Sequence, residues 1–188
     1  APVCPLFLAK SPVTGAFYLA AMFGFQPDAL LVEGAADWTA AFTPLELQRQ
    51  GFFTSGESIA IDPAHPRFAQ GANITLFEND KTPSAALRKI QTVLGQLVGG
   101  MAATSTFLDR INGLNLVEPV NIDLAFDDGS RLTLDGLYTI SLDRIDDLDD
   151  QEIVRLMRDG HLQPALAIAG SLQQINVLAR RRNLGFAG

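Results

Sequence analysis

Residues 120–140, "VNIDLAFDDGSRLTLDGLYTI", constrain the fold more than any other stretch. Val120, Ile122, Leu124 and Phe126 alternate with polar or small neighbours, the period of a strand with one buried face. "DDGS" supplies turn residues, and "RLTLDGLYTI" brings the chain back. Gly136 breaks the returning alternation as a β-bulge would. A hairpin of this kind needs something apolar laid against it. The spacing of Leu87, Ile90, Leu94, Leu97, Met101, Leu108 and Ile111 at threes and fours supplies a candidate, a long helix over 83–112. Thr104 is its one polar break. Thr82 is the expected cap at its start and Gly113 at its end.

Around these two elements the chain reads as further strands and capped helices. Residues 2–9 and 16–23 are apolar on both alternations, so they predict strands covered on both faces, joined by "KSPVTG". A short third strand is expected over 29–34. In "TPLELQRQG", Thr43 caps, Pro44 takes the first helical position and Glu46 completes a capping box, predicting a short helix that stops near Gly51. Strands are expected at 58–62 and 74–77, a helix at 150–158, and a last helix at 162–182. Hairpins and helices in segregated runs predict an α+β fold, with mainly antiparallel strands and hairpins packed on the long central helix and the C-terminal helices. One domain over 1–188 is expected. An echo between "RQGFF" and "RDGHL" covers too few residues to predict a duplication.

Gly95, Gly99 and Gly100 lie inside the long helix, and each costs about 1 kcal/mol relative to Ala. Close approach of another backbone would offset that. The expected neighbour is the last helix at Ala165, Ala169 and Leu172.

Charge and composition exclude several functions. A net charge of −7 repels phosphate backbones, so nucleic acid is not an expected partner. Apolar runs such as "AFYLAAMFGF" fall short of the roughly 20 residues that span a bilayer. Cys4 is the only cysteine, which rules out an internal disulfide and reads as a small core side chain. That fits a reducing compartment, and a cytoplasmic location is expected. A periplasmic or cell-surface location is the alternative if a longer start carries an export signal, since "APVCPLF" opens almost directly on a strand and reads as a trimmed beginning. The triplet Arg180, Arg181, Arg182 is the one basic cluster. It offsets the negative end of a helix dipole, or forms a docking patch for an acidic partner.

No phosphate-binding glycine loop is present, and "GESIA" lacks the second glycine of a nucleophile elbow. The acidic run 141–152 does not match a calcium loop, and Asp149 with Glu152 reads as the start of a helix. The remaining constellation is in "SIAIDPAHPR". Asp62 and His65, with the only other histidine, His161, make up the two-histidine, one-carboxylate count of a non-haem iron centre. The competing expectation is a stiff corner. Pro63 and Pro66 fix the backbone, Asp62 caps the turn or pairs with Arg67, and His161 bonds the end of its helix. The corner is the reading adopted, with no cofactor and no metal.

"TPLELQRQGFF", "SIAIDPAHPR", "EPVNIDLAFDDGSRLTLDGLYTI" and "LDDQEIVRLMRDGHLQPALAIAGSL", in that order, resemble the SapC-like family of bacterial proteins. The family shares its name with an unrelated peptide-transporter permease, which this chain does not resemble. Genes of similar proteins lie beside TonB-dependent outer-membrane receptors and tailoring enzymes. The resemblance therefore implies a non-enzymatic accessory or binding protein of an outer-membrane nutrient-uptake or tailoring system, with a protein partner or small ligand. It carries over no catalytic residues. Two other classes stand beside it: a small iron-dependent oxygenase using Asp62, His65 and His161, and a structural surface-layer component.

Overall fold

The computed structural model describes residues 3–26, 31, 43–56, 58–69 and 74–186. Its described elements run β1 Leu6–Lys10, β2 Phe17–Ala21, α1 Leu45–Gln48, β3 Phe52–Ser55, β4 Ser58–Ile61, a 3-10 turn at Pro66–Phe68, α2 Ala85–Gly113, β5 Val117–Ala125, β6 Arg131–Ile140, α3 Leu142–Asp146, α4 Asp150–Arg158, α5 Leu162–Ser171 and α6 Gln174–Phe186. Contacts divide the chain into two compact units, one of residues 1–37 with 104–188 and one of residues 38–103.

The first unit is built on the expected hairpin. β5 and β6 pair antiparallel, and the register jumps from Val120↔Leu137 to Ile122↔Leu134. The extra residue falls at Asp135–Gly136, and Gly136 has φ +72, the left-handed conformation a bulge asks of glycine. At the turn, the Phe126 N–H donates to the Ser130 carbonyl and the Gly129 N–H to the Phe126 carbonyl. β1 and β2 complete a four-stranded sheet in the order β2-β1-β6-β5, antiparallel throughout. This is the α+β architecture the pattern predicts.

Neighbouring residues of β1 point to opposite faces, and both faces are covered. Leu8 packs with Phe107 and Ile111 of α2, Leu156 of α4, and Ala165 and Ile168 of α5. Phe7 packs with Ile122 and Ile175 on the other side. β2 departs from the expectation, since Tyr18 is 47% exposed. Ser171 joins α5 to β1. Its hydroxyl accepts from the Leu6 N–H at 2.8 Å and donates to the Ile168 carbonyl at 2.6 Å.

Thr139 is buried on β6, and its hydroxyl has no hydrogen-bond partner among the described residues. Burying an unpaired hydroxyl costs free energy that a methyl of the same shape does not. Thr139→Val is therefore expected to leave stability unchanged or raise it by about 1 kcal/mol, read as the midpoint of urea unfolding.

Several elements differ from expectation. Asn115, not Gly113, ends α2. It takes φ +55, its N–H bonds the Asn112 carbonyl, and the Leu116 N–H reaches back to the Ile111 carbonyl. That is a Schellman ending, and Asn substitutes for Gly in it because its short polar side chain tolerates the left-handed region. Ser84, not Thr82, caps the start, accepting from the Leu87 N–H at 3.2 Å. Thr82 instead bonds Asp80. α1 begins after Pro44, not Thr43, and Glu46 pairs with Arg49. The last helix is two, α5 and α6, broken at Leu172–Gln173. Residues 74–77 form only an isolated bridge, Phe77 to Pro83, and no strand. The expected strand over 29–34 lies outside the described residues, Leu31 apart.

The second unit holds the β3–β4 hairpin, with Phe52↔Ile61 and Thr54↔Ile59 as cross-strand pairs and Gly56 at its turn with φ +59. Its core is Phe52, Leu87 and Leu94, flanked by Ile59, Phe68, Leu76 and Ile90. The stripe of α2 is thus interrupted, since Met101 is 73% exposed. Among the described residues, a Cβ built on Gly95, Gly99 or Gly100 reaches no atom within 4 Å.

Candidate functional site

The corner after β4 is organised by local hydrogen bonds. The Asp62 carboxylate accepts from the Ala64 N–H at 3.0 Å, closing the turn as an Asx residue does. The His65 Nδ1 accepts from the Arg67 N–H at 3.2 Å and caps the 3-10 turn. Arg67 does not pair with Asp62. Its guanidinium donates to the carbonyls of Gln48 and Gln50, both at 2.9 Å, and sits 5.6 Å from the Phe52 ring centre. A cation is thereby placed on the carbonyl end of α1, where the backbone has no further N–H to offer. The Asp62 N–H bonds the Gly51 carbonyl at 2.9 Å. Two segments eleven or more residues apart are thus stitched together through the corner.

His161 lies in the other unit. Gly160, at φ +76, ends α4, and it is the His161 backbone N–H that reaches the Leu156 carbonyl, at 2.8 Å. The ring stands 5.9 Å from that of Phe107. Asp62 and His65 are brought together, and His161 is engaged separately. Among the described residues no three His, Cys, Asp or Glu side chains gather as a metal site requires.

The basic triplet is divided by its contacts. Arg181 donates to the Leu31 carbonyl at 2.9 Å. Arg182 lies over the Phe126 ring at 3.5 Å and bonds Asp128 at 3.2 Å and the Ser130 hydroxyl at 3.0 Å. Only Arg180 is exposed. The triplet also sits before the last turn of α6, which holds no basic residue, so it does not offset that helix end. Asp128 accepts from the Ser130 hydroxyl and N–H, and these bonds, with the Arg182 charge, hold its carboxyl below the usual aspartate range. A depressed folded-state pKa favours folding above the ordinary aspartate range, and the contribution is lost as pH falls through the folded value. A carboxyl-carbon NMR titration should place the Asp128 midpoint below that of an unstructured aspartate. The difference in melting temperature between the parent and Asp128→Ala should shrink as the buffer is acidified.

Asp149 and Glu152 behave as the acidic run predicts. The Asp149 carboxylate accepts from the Glu152 N–H at 2.8 Å. Glu152 also pairs with Arg110 of α2 and with Arg155, the latter at 2.6 Å. Cys4 is buried, and burial raises its pKa, so its thiol is a protonated core group at neutral pH.

What the chain presents outward is an apolar groove in the 38–103 unit, of about 730 Å³. One wall is the face of the β3–β4 hairpin carrying Phe52, Thr54, Ile59 and Ile61. The other is the α2 stripe Leu87, Gln91, Leu94, Gly95 and Val98. Leu76, Phe77 and Pro83 contribute to its edge. None of the described lining residues is charged. Phe77 and Val98 are each 56% exposed, an exposure that marks docking surfaces when it is contiguous. The groove is assembled from four separate segments, which is why periodicity along the chain does not reveal it. The unexplained glycines of α2 are its one trace in the sequence.

The family model described as SapC matches residues 1–178. No curated protein and no solved structure matches the chain. Among the described residues no helix is long and apolar enough to cross a membrane.

Proposed function

The chain belongs to the SapC family, and from that premise we propose that it is a non-enzymatic accessory or binding protein of a bacterial outer-membrane nutrient-uptake or tailoring system. The observation that supports this reading is the open groove between the β3–β4 hairpin and α2, whose described lining carries no charge. An exposed apolar trough with a few polar groups is suited to holding an apolar surface rather than to moving protons or electrons. The carboxylate and histidine of the corner act on their own backbone, at Ala64 and Arg67, which is the work of a scaffold. The net charge of −7 argues against a nucleic-acid partner. The reading places the protein in the cytoplasm, which cell fractionation would check against the periplasm and the surface.

The test is a photo-reactive residue at position 77, in cells expressing the full chain. A cross-linked protein is then purified and its affinity measured directly. Phe77→Glu, which puts a charge into the groove, is expected to weaken that affinity at least tenfold. Stoichiometric iron in protein purified without chelators, or affinity indifferent to Phe77→Glu, would overturn the proposal.

A further inference from the structure

α2 is one helix shared by two compact units. Leu87 and Leu94 of its first half lie in the core of the 38–103 unit. Phe107 and Ile111 of its last half lie in the core of the other. The division between the units falls inside the helix, between Ala103 and Thr104. Between the two packed ends, none of residues 95–106 is buried among the described residues. The sequence of this middle stretch is also the weakest in the helix. Gly95, Gly99 and Gly100 are its only glycines before the terminal Gly113. Each disfavours the helix, because glycine loses the most backbone freedom on being ordered. No charged residue lies between Lys89 and Asp109, so no ion pair along the helix face supports this part. Val98, Thr104 and Thr106 are β-branched, which lowers helix propensity further.

We infer that the middle of α2 is a flexing joint: residues 95–103 open and bend while both ends of the helix stay packed. Three observations carry this. The first is length. A helical stretch of roughly a dozen residues is marginal in water unless tertiary packing supports it. Here the buried anchors, Leu94 and Phe107, stand at its two ends. The second is position. All three interior glycines of a 29-residue helix fall in the nine residues 95–103, directly before the division between the units. The third is the kind of weakness. Gly99 and Gly100 are adjacent, and small-residue pairs are where helices kink. A Cβ on any of the three meets no described atom within 4 Å, so crowding by the described residues is not what keeps alanine out. Opening this stretch breaks a few local backbone bonds and disturbs neither core, which is how low-stability segments of a native protein move. Gly95 and Val98 also line the groove, so a bend at the joint shifts part of its wall.

Hydrogen exchange of the full chain, read by mass spectrometry, tests this. After correction for intrinsic rates, amides over 95–103 should exchange on the order of tenfold faster than those over 107–113. Gly99→Ala combined with Gly100→Ala should slow exchange over 95–103 on the order of tenfold, with the melting temperature unchanged or raised. Bending is read separately, by the distance between nitroxide labels on Lys89→Cys and Asp109→Cys in a Cys4→Ala chain. Both label positions are exposed on α2. A straight helix separates their backbones by about 30 Å. The expected distribution reaches well below that distance and narrows toward it in the double-alanine variant. Exchange over 95–103 as slow as over 107–113, or a double-alanine variant that exchanges no more slowly than the parent, overturns the inference. So does a single narrow distance in the parent chain. A melting temperature lowered by the two alanines overturns it as well, because it would show that a close neighbour, and not flexing, requires the glycines.

Discussion

Phe7→Ala is expected to destabilise the chain by about 3–5 kcal/mol, the cost of emptying a fully packed aromatic site. Phe7 is 1% exposed and sits on the inner strand β1, against Ile122 of β5 and Ile175 of α6. Its neighbour Leu8, 0% exposed, serves the other face. A cavity at position 7 has little means of closing, because β1 is pinned between β2 and β6 and tied to α5 through Ser171. The melting temperature should fall by about 6–20 °C. Ala9→Gly, on the same strand but half-buried, is the comparison; it should cost about 1 kcal/mol. A loss at Phe7 no larger than that would mean the sheet is not packed on both faces.

Gly51→Ala is the second large effect, and it acts through the corner rather than the core. Gly51 takes φ +83, where an alanine is strained. A Cβ there would lie 3.0 Å from the His65 ring carbon and 3.0 Å from the Phe68 ring. Phe68 cannot yield easily, because its ring meets Phe52 edge-on at 5.1 Å. Strain and overlap together should cost about 2–4 kcal/mol. His65→Ala alone should cost little, and in the double variant it should return part of the loss at Gly51. A double-mutant cycle measured by chemical denaturation reads that coupling. Additive losses would show that the ring does not press on position 51.

Which elements the sequence made legible follows from how local their causes are. The β5–β6 hairpin, the Gly136 bulge and the Asp149 cap each depend on residues within a few positions of one another, and all are found. The strand β3 is missed because Phe52–Ser55 is only four residues long and has no apolar alternation after the helix end near Gly51. Its strand character comes from pairing with β4. The helix ends are misassigned where two residue types compete for one role, Asn115 against Gly113 and Ser84 against Thr82. The break at Leu172 carries no proline or glycine to announce it, and Leu172 packs beside Ile175 on the sheet. The corner is largely legible, since Asp62 caps its turn. The target of Arg67 is not, because carbonyls carry no sequence signal. The glycines of α2 are noticed, and among the described residues nothing comes within 4 Å of a Cβ built on them. The spacing of glycines marks where a helix is weakened, and carries no signal for what, if anything, lies against it.

Ser171 holds both ends of a span that the ribosome cannot make at once. Its hydroxyl completes the Leu6 backbone, 165 positions earlier. At a synthesis rate of about 5–20 residues per second, the first strand waits roughly ten to thirty seconds for that partner. The residues 38–103 are finished well before then, inserted within a unit whose opening segment is still unmatched. For that interval Phe7 and Leu8 have their strand partners but not the α5 and α6 residues, Ile168 and Ile175, that pack on them. The nascent protein thus carries an apolar strand pair half-covered while its middle is completed, an order of events in which a ribosome-bound chaperone has a defined window and a defined target.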